Sequence, residues 1–433
     1  MNTQITAAKK SKPMKLLYKH KFKLVSLLLI AIATYYIKPV YDSFAHRGKV
    51  PLPPFGWHSI PDDSPVTSRV INANYNNAAE RVISAMQERQ KLIGAASYSV
   101  AVGIKGELVW AGAAGWANIK NKVKATPDTR YRVGSTSKAI TATALTQLVQ
   151  KGIINLDTPI SEYIDNLPNK DWETITPRML ASHMAGLSHY AQKGVQKDYL
   201  GLYQVMALTK DYSSMVDALE VFDGTSLRST PGTEFYYSSL GTVLLGAVIE
   251  GATGKLFSEI VTEYVLLPNE MHSTIVAPTS SDGHINVATS YINRVNDNTH
   301  EVRQWRPLDL SHRLPGGGFA ATSSDLVKLG LSYFNEDYIA NETKNIFWAP
   351  QKLANGETNP QNYALSWRFY TSNIEGIGEF SHANHGGVSR GAQSWLMVIP
   401  DYEMVIAINA NIKTKNFSDF AIIYKDVITA FKN

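Results

Sequence analysis

The sequence predicts an α+β fold, in which an antiparallel sheet is flanked by helices and carries an inserted helical lobe. Two strand pairs lie at opposite ends of the folded part: residues 98–112 turn at Gly106, and residues 393–409 turn at Pro400. The chain between these pairs has helical spacing and loops rich in proline and glycine. Strands at both ends with helices between them are typical of α+β proteins and not of regular βαβ winding.

The first 41 residues are basic and predict a membrane anchor. They contain eight lysines, no arginine and no acidic residue, and most of the lysines precede an apolar run from Leu24 to Ile37. The run is shorter than a spanning helix of ~20 residues and suits the core of a signal sequence. We favour an uncleaved signal anchor over cleavage near Ala31 to Ala33, and the lack of arginine disfavours a mitochondrial presequence. The lysines then place the folded body outside the cytoplasm, on the periplasmic side of a bacterial inner membrane.

Residues 42–74 contain five prolines and predict an extended tether, which leaves 75–433 as the catalytic domain. The net charge of +5 resides in the leader, because all 37 acidic residues lie at Asp42 or beyond it. The rest of the chain has no basic stripe for a phosphate backbone, which argues against a nucleic-acid partner. The chain has no cysteine, so disulfides, thiolate metal sites and cysteine catalysis are excluded.

Apolar spacing places helices and strands along the domain. A helix is predicted over 76–92, the strand pair at 98–112 follows, and a second helix covers 137–151. The middle of the chain mixes helices with loops, the last two strands occupy 393–409, and a closing helix covers 417–431. Three motifs in this part of the chain contain candidate catalytic or substrate-binding residues.

The first motif is Gly134-Ser135-Thr136-Ser137-Lys138. A serine hydroxyl is a poor nucleophile at neutral pH and needs a neighbouring base. If Ser135 opens the following helix, Lys138 lies one turn along the same face, within reach of the hydroxyl. The helix N-terminus adds N–H groups and partial positive charge near a developing oxyanion. A surface helix cap is the alternative interpretation of this motif alone.

The second motif is Tyr237-Ser238-Ser239. A tyrosine whose pKa is lowered by a nearby ammonium group acts as a base toward serine and later as an acid toward the leaving group. The hydroxyl of Ser239 is placed to hold substrate or the lysine. The alternative is a packed aromatic residue before a helix.

The third motif is His385-Gly386-Gly387 with Val388 after it, just before the last strands. Adjacent glycines allow a ligand to approach the backbone closely, and a strand edge there offers an N–H to an oxyanion. A glycine turn with an incidental histidine is the alternative. His382 and His385 have no third ligand nearby, so no metal site is predicted.

In this order, the three motifs resemble the serine β-lactamase and penicillin-binding-protein superfamily, whose members carry S-x-x-K, then Y-x-N or Y-x-S, then K-T-G or H-x-G. The resemblance favours the class C-like branch, which includes class C β-lactamases, DD-carboxypeptidases, esterases and the mitochondrial β-lactamase-like protease. Further family-like stretches occur at 179–187, 231–241 and 316–326. The resemblance spans about 75–431.

The resemblance implies that Ser135 is the acylated nucleophile, Lys138 its activator and Tyr237 the general acid and base. It also places Ser239 where class C β-lactamases have asparagine. That change points away from β-lactamases and toward peptidases and esterases.

The resemblance implies a substrate-binding role for the third motif as well. His385 replaces the lysine of K-T-G, Gly387 is the last residue of H-x-G, and the N–H of Val388 joins that of Ser135 in an oxyanion hole. Gly386 replaces the usual hydroxyl residue and removes a contact to a substrate carboxylate.

The sequence therefore predicts a serine hydrolase that forms an acyl-enzyme on Ser135, without metal or cofactor. Its partners are a small-molecule or peptide substrate and, through the N-terminal helix, the membrane. A D-alanyl peptide and a small ester both remain open as substrates, with weak turnover of β-lactams. The alternative is a non-catalytic penicillin-binding or scaffolding module of the same fold.

Overall fold

The computed structural model describes residues 12–46, 48–189, 203, 206–294 and 301–432. The chain divides into two units between Pro53 and Pro54. The first unit contains helix α1, Lys12–Ala45. Its part His20–Ala45 contains an 18-residue window with a mean hydropathy of 1.7 and is long and apolar enough to cross a membrane. The apolar run Leu24 to Ile37 is thus part of a longer helix, which is compatible with an anchor or a signal sequence.

The second unit contains the remaining helices and strands among the described residues. The helices are α2 (Asn76–Leu92), α3 (Ser137–Gln150), α4 (Pro177–Ala181), α5 (Met215–Ala218), α6 (Ser239–Thr253), α7 (Phe257–Val261), α8 (Leu314–Gly317), α9 (Ser323–Leu331), α10 (Asn341–Trp348) and α11 (Ala421–Phe431). The strands are β1 (Trp57–Ser59), β2 (Val66–Val70), β3 (Ser97–Ile104), β4 (Glu107–Asn118), β5 (Val123–Lys124), β6 (Tyr131–Arg132), β7 (Ile275–Val276), β8 (Tyr291–Asn293), β9 (Glu301–Gln304), β10 (Phe319–Ala321), β11 (Arg368–Ile374), β12 (Gly378–Ser389), β13 (Ala392–Ile399) and β14 (Met404–Ala410).

The main sheet joins the two predicted strand pairs. Its order is β11-β12-β13-β14-β3-β4-β2, with β5 added on β4. Strand β14 lies antiparallel to β3, from Met404 opposite Ile104 to Ala410 opposite Tyr98. The strand pairs predicted at the two ends of the folded part are therefore neighbours in one antiparallel sheet, in agreement with the predicted α+β fold.

Helices cover both faces of this sheet. In β14, Ile406 and Ile408 join the core formed with α2 and α11, whereas Val405 and Ala407 join the core on the other face. This alternation follows from the two-residue period of a strand. On the second face, α9 packs very closely, since a Cβ at Gly330 would lie 2.4 Å from Val405 Cγ1.

Part of the segment predicted to be a tether belongs to the main sheet. Strand β2 pairs antiparallel with β4, and Trp110 Nε1 donates to Ser68 Oγ at 2.8 Å. Pro65 directly precedes β2, a position at which proline is tolerated because β2 is an edge strand. The prolines of this segment predicted an extended backbone, but they did not predict that part of it pairs with β4. The region between β6 and β10 carries short strands as well as helices.

Candidate active site

Ser135 lies in a short turn that leads into α3. Residues Gly134–Thr136 form one 3₁₀ turn, and Gly134 has a φ of +53° that favours glycine. Lys138 follows in the first turn of α3, and its Nζ is 3.2 Å from Ser135 Oγ. The structure therefore brings together the two residues of the first motif, as their spacing predicted.

The Lys138 ammonium group is fully buried and has three oxygen neighbours. Besides Ser135 Oγ, its Nζ lies 3.1 Å from Ser239 Oγ and 2.9 Å from the carbonyl oxygen of Gly316. Burial lowers the pKa of Lys138, although interaction with Tyr237 partly opposes the shift. When this amine is in its neutral form, its two N–H groups serve Ser239 and Gly316, and its lone pair is left for the proton of Ser135.

Tyr237 lies directly before the N-terminus of α6. Ser238 caps that helix, because its Oγ accepts from Gly241 N–H at 3.1 Å. The cap fixes the backbone so that Tyr237 faces Lys138, whose Nζ lies 4.9 Å from the centre of the phenol ring. Burial raises the pKa of Tyr237, but the charge of Lys138 and hydrogen bonds to Lys138 and Ser135 outweigh it, so the pKa falls.

The third motif brings an open strand edge to Ser135. Strand β11 pairs with β12 only as far as Arg368 opposite Asn384, so residues 385–389 pair with β13 alone. A Cβ on Gly387 would lie 1.9 Å from Val133 O and 2.8 Å from Ser135 N. Only glycine therefore permits this close approach of β12 to the serine turn.

The backbone of Val388 faces the same turn. A Cβ on Gly134 would lie 2.6 Å from the carbonyl oxygen of Val388. In an antiparallel strand, the N–H and C=O of one residue point to the same side. The N–H of Val388 therefore lies on the edge that faces Ser135.

We expect Gly387→Ala to lower kcat/KM by about 10²-fold, because the added methyl group must push β12 away from Ser135 by roughly an ångström. Gly241→Ala is the matched control, since a Cβ there would make only ordinary contacts, of which the nearest is 3.7 Å from Leu187. Steady-state kinetics of both variants checks this expectation. An unchanged kcat/KM in Gly387→Ala would contradict the close approach of β12.

His385 contributes no charge to the site. Its ring is fully buried, Nε2 lies 2.8 Å from Tyr363 Oη, and Nδ1 lies 2.8 Å from the carbonyl oxygen of Gly386. A carbonyl only accepts, so Nδ1 carries the proton and Nε2 accepts from Tyr363. Burial holds the pKa of His385 well below its usual range. The ring is neutral, whereas the lysine in the K-T-G form of this motif carries a charge.

Gly386 lies against two aromatic rings. A Cβ there would meet Phe417 Cζ at 2.0 Å and Trp395 Cε3 at 2.7 Å. This packing explains why no hydroxyl side chain occupies the position.

Three residues that sequence reasoning did not select surround the predicted site. The centre of the His183 ring is 4.3 Å from that of Tyr237 and 4.6 Å from that of Tyr363. Arg368, at the start of β11, lies above both tyrosine rings. His183 lies in the family-like stretch 179–187, so the sequence resemblance was sufficient to select it as a candidate site residue. Tyr363 and Arg368 carried no local signal, because only the pairing of β11 with β12 brings them to the site.

Buried neutral histidines predict an acid-sensitive fold. Burial lowers the pKa of His183, His312 and His385 well below the usual value. In the unfolded chain these rings protonate near pH 6.5, whereas in the folded protein they stay neutral, so the unfolded state binds more protons. Below pH ~6.5 the free energy of unfolding should therefore fall, by up to about 1.4 kcal/mol per pH unit for each histidine.

Urea unfolding at pH 7.5, 6.5 and 5.5 measures this effect above the range in which most carboxylates titrate. A His385→Gln variant should show a shallower slope, because one titrating ring is removed. A stability that does not change between pH 7.5 and 5.5 would contradict the buried, neutral state of these rings.

Comparisons with known proteins match most of the chain. Residues 79–430 match the family model described as Beta-lactamase. The human protein described as serine beta-lactamase-like protein LACTB, mitochondrial, is 25% identical over 388 residues, which cover 71% of this chain and 70% of that protein.

Solved structures share the fold. The D-amino acid amidase from Ochrobactrum anthropi SV3, complexed with D-phenylalanine, is 22% identical with a TM-score of 0.65, covering 83% of this chain and 99% of that one. The octameric penicillin-binding protein homologue from Pyrococcus abyssi is 21% identical with a TM-score of 0.62, covering 80% of this chain and 77% of that one. This chain belongs to the Beta-lactamase family, in the superfamily of serine β-lactamases and penicillin-binding proteins.

Proposed function

We propose that this protein is a serine hydrolase that cleaves an amide or ester through an acyl-enzyme on Ser135. The observation that carries the proposal is the position of Lys138 Nζ, 3.2 Å from Ser135 Oγ and buried beneath Tyr237. A buried amine with a lowered pKa, next to a phenol with a lowered pKa, is a pair suited to moving a proton near neutral pH.

The proposed reaction begins when the pair of Lys138 and Tyr237 takes the proton of Ser135. The Oγ of Ser135 attacks the substrate carbonyl, and the N–H groups of Ser135 and Val388 stabilise the oxyanion. Tyr237 then delivers the proton to the leaving group, which departs as an amine or alcohol. Water then attacks the acyl-enzyme and gives a proton to the pair of Lys138 and Tyr237. A proton returns to Ser135 Oγ, and the acid product is released.

The substrate class follows from the departures from class C β-lactamases. Ser239 donates no amide N–H, and neutral His385 supplies no cation, so we expect β-lactams to acylate Ser135 but to be hydrolysed weakly. The structural neighbour described as a D-amino acid amidase supports a D-configured amide. A D-alanyl peptide of cell wall or a small ester is the proposed substrate.

The test is a substrate screen with detection of the acyl-enzyme. Purified protein is mixed with p-nitrophenyl esters, D-amino-acid peptides and a chromogenic cephalosporin, and quenched samples are weighed by mass spectrometry. The proposal expects a burst of nitrophenol and a covalent acyl adduct that decays as product appears. An adduct that never turns over with any substrate would support the alternative, a non-catalytic penicillin-binding module. No adduct at all would contradict both.

We also propose that α1 anchors the chain in a membrane, with the catalytic unit outside the cytoplasm. Full-length protein should sediment with membranes, whereas a chain that begins at Lys49 should stay in the supernatant with the same kcat/KM. The second chain keeps β1 and β2, which pair with β9 and β4. A C-terminal reporter that is active only outside the cytoplasm should give signal. Full-length protein that is soluble with an intact N-terminus would refute the anchor.

A further inference from the structure

His183 is a buried residue beside the candidate site, and its backbone has an unusual conformation. It lies just beyond the end of α4 and has a φ of +60°, in the left-handed region that residues other than glycine rarely adopt. Only 2% of its surface is exposed. Such a backbone persists where the surrounding contacts hold it, and it is concentrated at functional sites.

The contacts of His183 are with Tyr237 and with the residues on either side of it. The carbonyl oxygen of His183 accepts from the N–H of Tyr236 at 2.8 Å, and its Nδ1 accepts from the N–H of Ser238 at 3.4 Å. The ring lies against the phenol of Tyr237, with the two ring centres 4.3 Å apart. His183 therefore holds the backbone before and after Tyr237 as well as its side chain.

The His183 ring acts as a hydrogen-bond acceptor in this arrangement. A backbone N–H only donates, so Nδ1 carries no proton and the neutral ring has its proton on Nε2. Nε2 is buried and has no hydrogen-bond partner among the residues that the structure describes. Burial and the charge of Lys138 hold the pKa of His183 well below its usual range, which keeps Nδ1 available as an acceptor.

The position of Tyr237 matters because its phenol works at hydrogen-bond distance. Burial raises the pKa of Tyr237, and its contacts with Lys138 and Ser135 lower it by more. Both contacts lengthen if the phenol moves. A displacement of about an ångström in a proton-transfer group costs on the order of 10²-fold in rate.

We propose that His183 is a positioning residue, which holds Tyr237 at hydrogen-bond distance from Ser135 and Lys138. This inference rests on the proposed function and adds to it a residue that acts only through Tyr237. Because His183 acts on proton transfer and not on substrate binding, its loss should lower the limiting rate constant of acylation. The ester concentration that gives half of this rate should change little.

Two amide side chains at position 183 test the proposal. In His183→Asn, Oδ1 takes the place of Nδ1 as the acceptor, and asparagine tolerates left-handed backbone. In His183→Gln, the amide is one carbon further along, at the level of Nε2, so the Ser238 N–H loses its acceptor. Stopped-flow acylation with p-nitrophenyl acetate should stay within about threefold of wild type in His183→Asn and fall about tenfold to hundredfold in His183→Gln.

Equal acylation rates in the two variants, or a faster rate in His183→Gln, would overturn the proposal. His382→Gln is the matched control, because His382 is also buried but its ring lies against those of Tyr370 and Phe380. Its acylation rate should be unchanged. A loss as large as that in His183→Gln would assign the effect to the removal of any buried histidine and would also overturn the proposal.

A measurement on the wild-type protein does not depend on how the variants fold. Nitrogen NMR of the histidine rings distinguishes the two neutral tautomers, and the signals of His183 are those that disappear in His183→Asn. The proposal expects the proton on Nε2. A proton on Nδ1 would overturn it, because Nδ1 then could not accept from Ser238.

A titration without substrate keeps this result separate from the proposed function. The tyrosinate absorbance of each protein, minus that of the same protein with Tyr237→Phe, gives the pKa of Tyr237. We expect similar values in wild type and His183→Asn and a higher value in His183→Gln, whose phenol moves away from Lys138 and Ser135. This result without hydrolysis of any ester would refute the proposed function alone. An unchanged pKa of Tyr237 in His183→Gln would refute the role of His183.

Discussion

Ser135→Ala is expected to lose turnover by a factor on the order of 10⁴ or more, the range seen when a catalytic nucleophile is removed. The variant keeps its fold, because Lys138 retains Ser239 Oγ and the Gly316 carbonyl as acceptors. The loss of one hydroxyl hydrogen bond should change the free energy of unfolding by only about 1 kcal/mol. Ester hydrolysis and urea unfolding measure the two quantities.

Ser84→Ala is the control for this substitution. Ser84 is exposed on α2, so its loss should change neither quantity. Residual hydrolysis within tenfold of wild type in folded Ser135→Ala would remove Ser135 from the role of nucleophile.

Lys138→Met should slow acylation by at least ~10²-fold, the contribution of a positioned proton acceptor. Methionine fills most of the same buried volume but provides no amine. Because burial disfavours the charged form of Lys138, its removal also relieves a desolvation cost, which offsets the lost hydrogen bonds to Ser239 and Gly316. We therefore expect activity to fall much more than stability. Stopped-flow acylation with an activated ester measures the change in activity, and thermal unfolding measures the change in stability.

Tyr237→Phe tests the contribution of Tyr237 separately from that of Lys138. It should slow acylation by a similar factor, while Lys138 stays buried and keeps its other partners. If the two groups share one proton, the double variant should lose little more than either single variant. Acylation at a near-wild-type rate in either folded single variant would exclude that residue from the proton transfer.

The sequence predicted the elements whose signal is local. The helix over 76–92, the strand pairs around Gly106 and Pro400, and the spacing of Ser135 and Lys138 all follow from periodicity and turn residues. The structure brings Tyr237 to the same point, 102 residues along the chain from Ser135. That proximity was available only from the resemblance of the three motifs to a known superfamily, because spacing alone does not specify long-range contacts.

The parts that sequence reasoning missed depend on strand pairing. The register of β11 against β12 places Arg368 beside Asn384, and Tyr363, in the segment just before β11, lies with its Oη 2.8 Å from His385 Nε2. The pairing of β2 with β4 turns part of the proline-rich segment into an edge strand. No run of neighbouring residues encodes either pairing, since each depends on which strands become neighbours in the folded sheet.

The most direct test of a Ser135 acyl-enzyme is to locate a covalent adduct on the wild-type chain. The protein is labelled with a fluorophosphonate, digested, and its peptides are sequenced by tandem mass spectrometry. We expect one modified residue, Ser135, with labelling slowed in Lys138→Met. An adduct on any other serine, or no adduct on folded protein, would contradict the central claim.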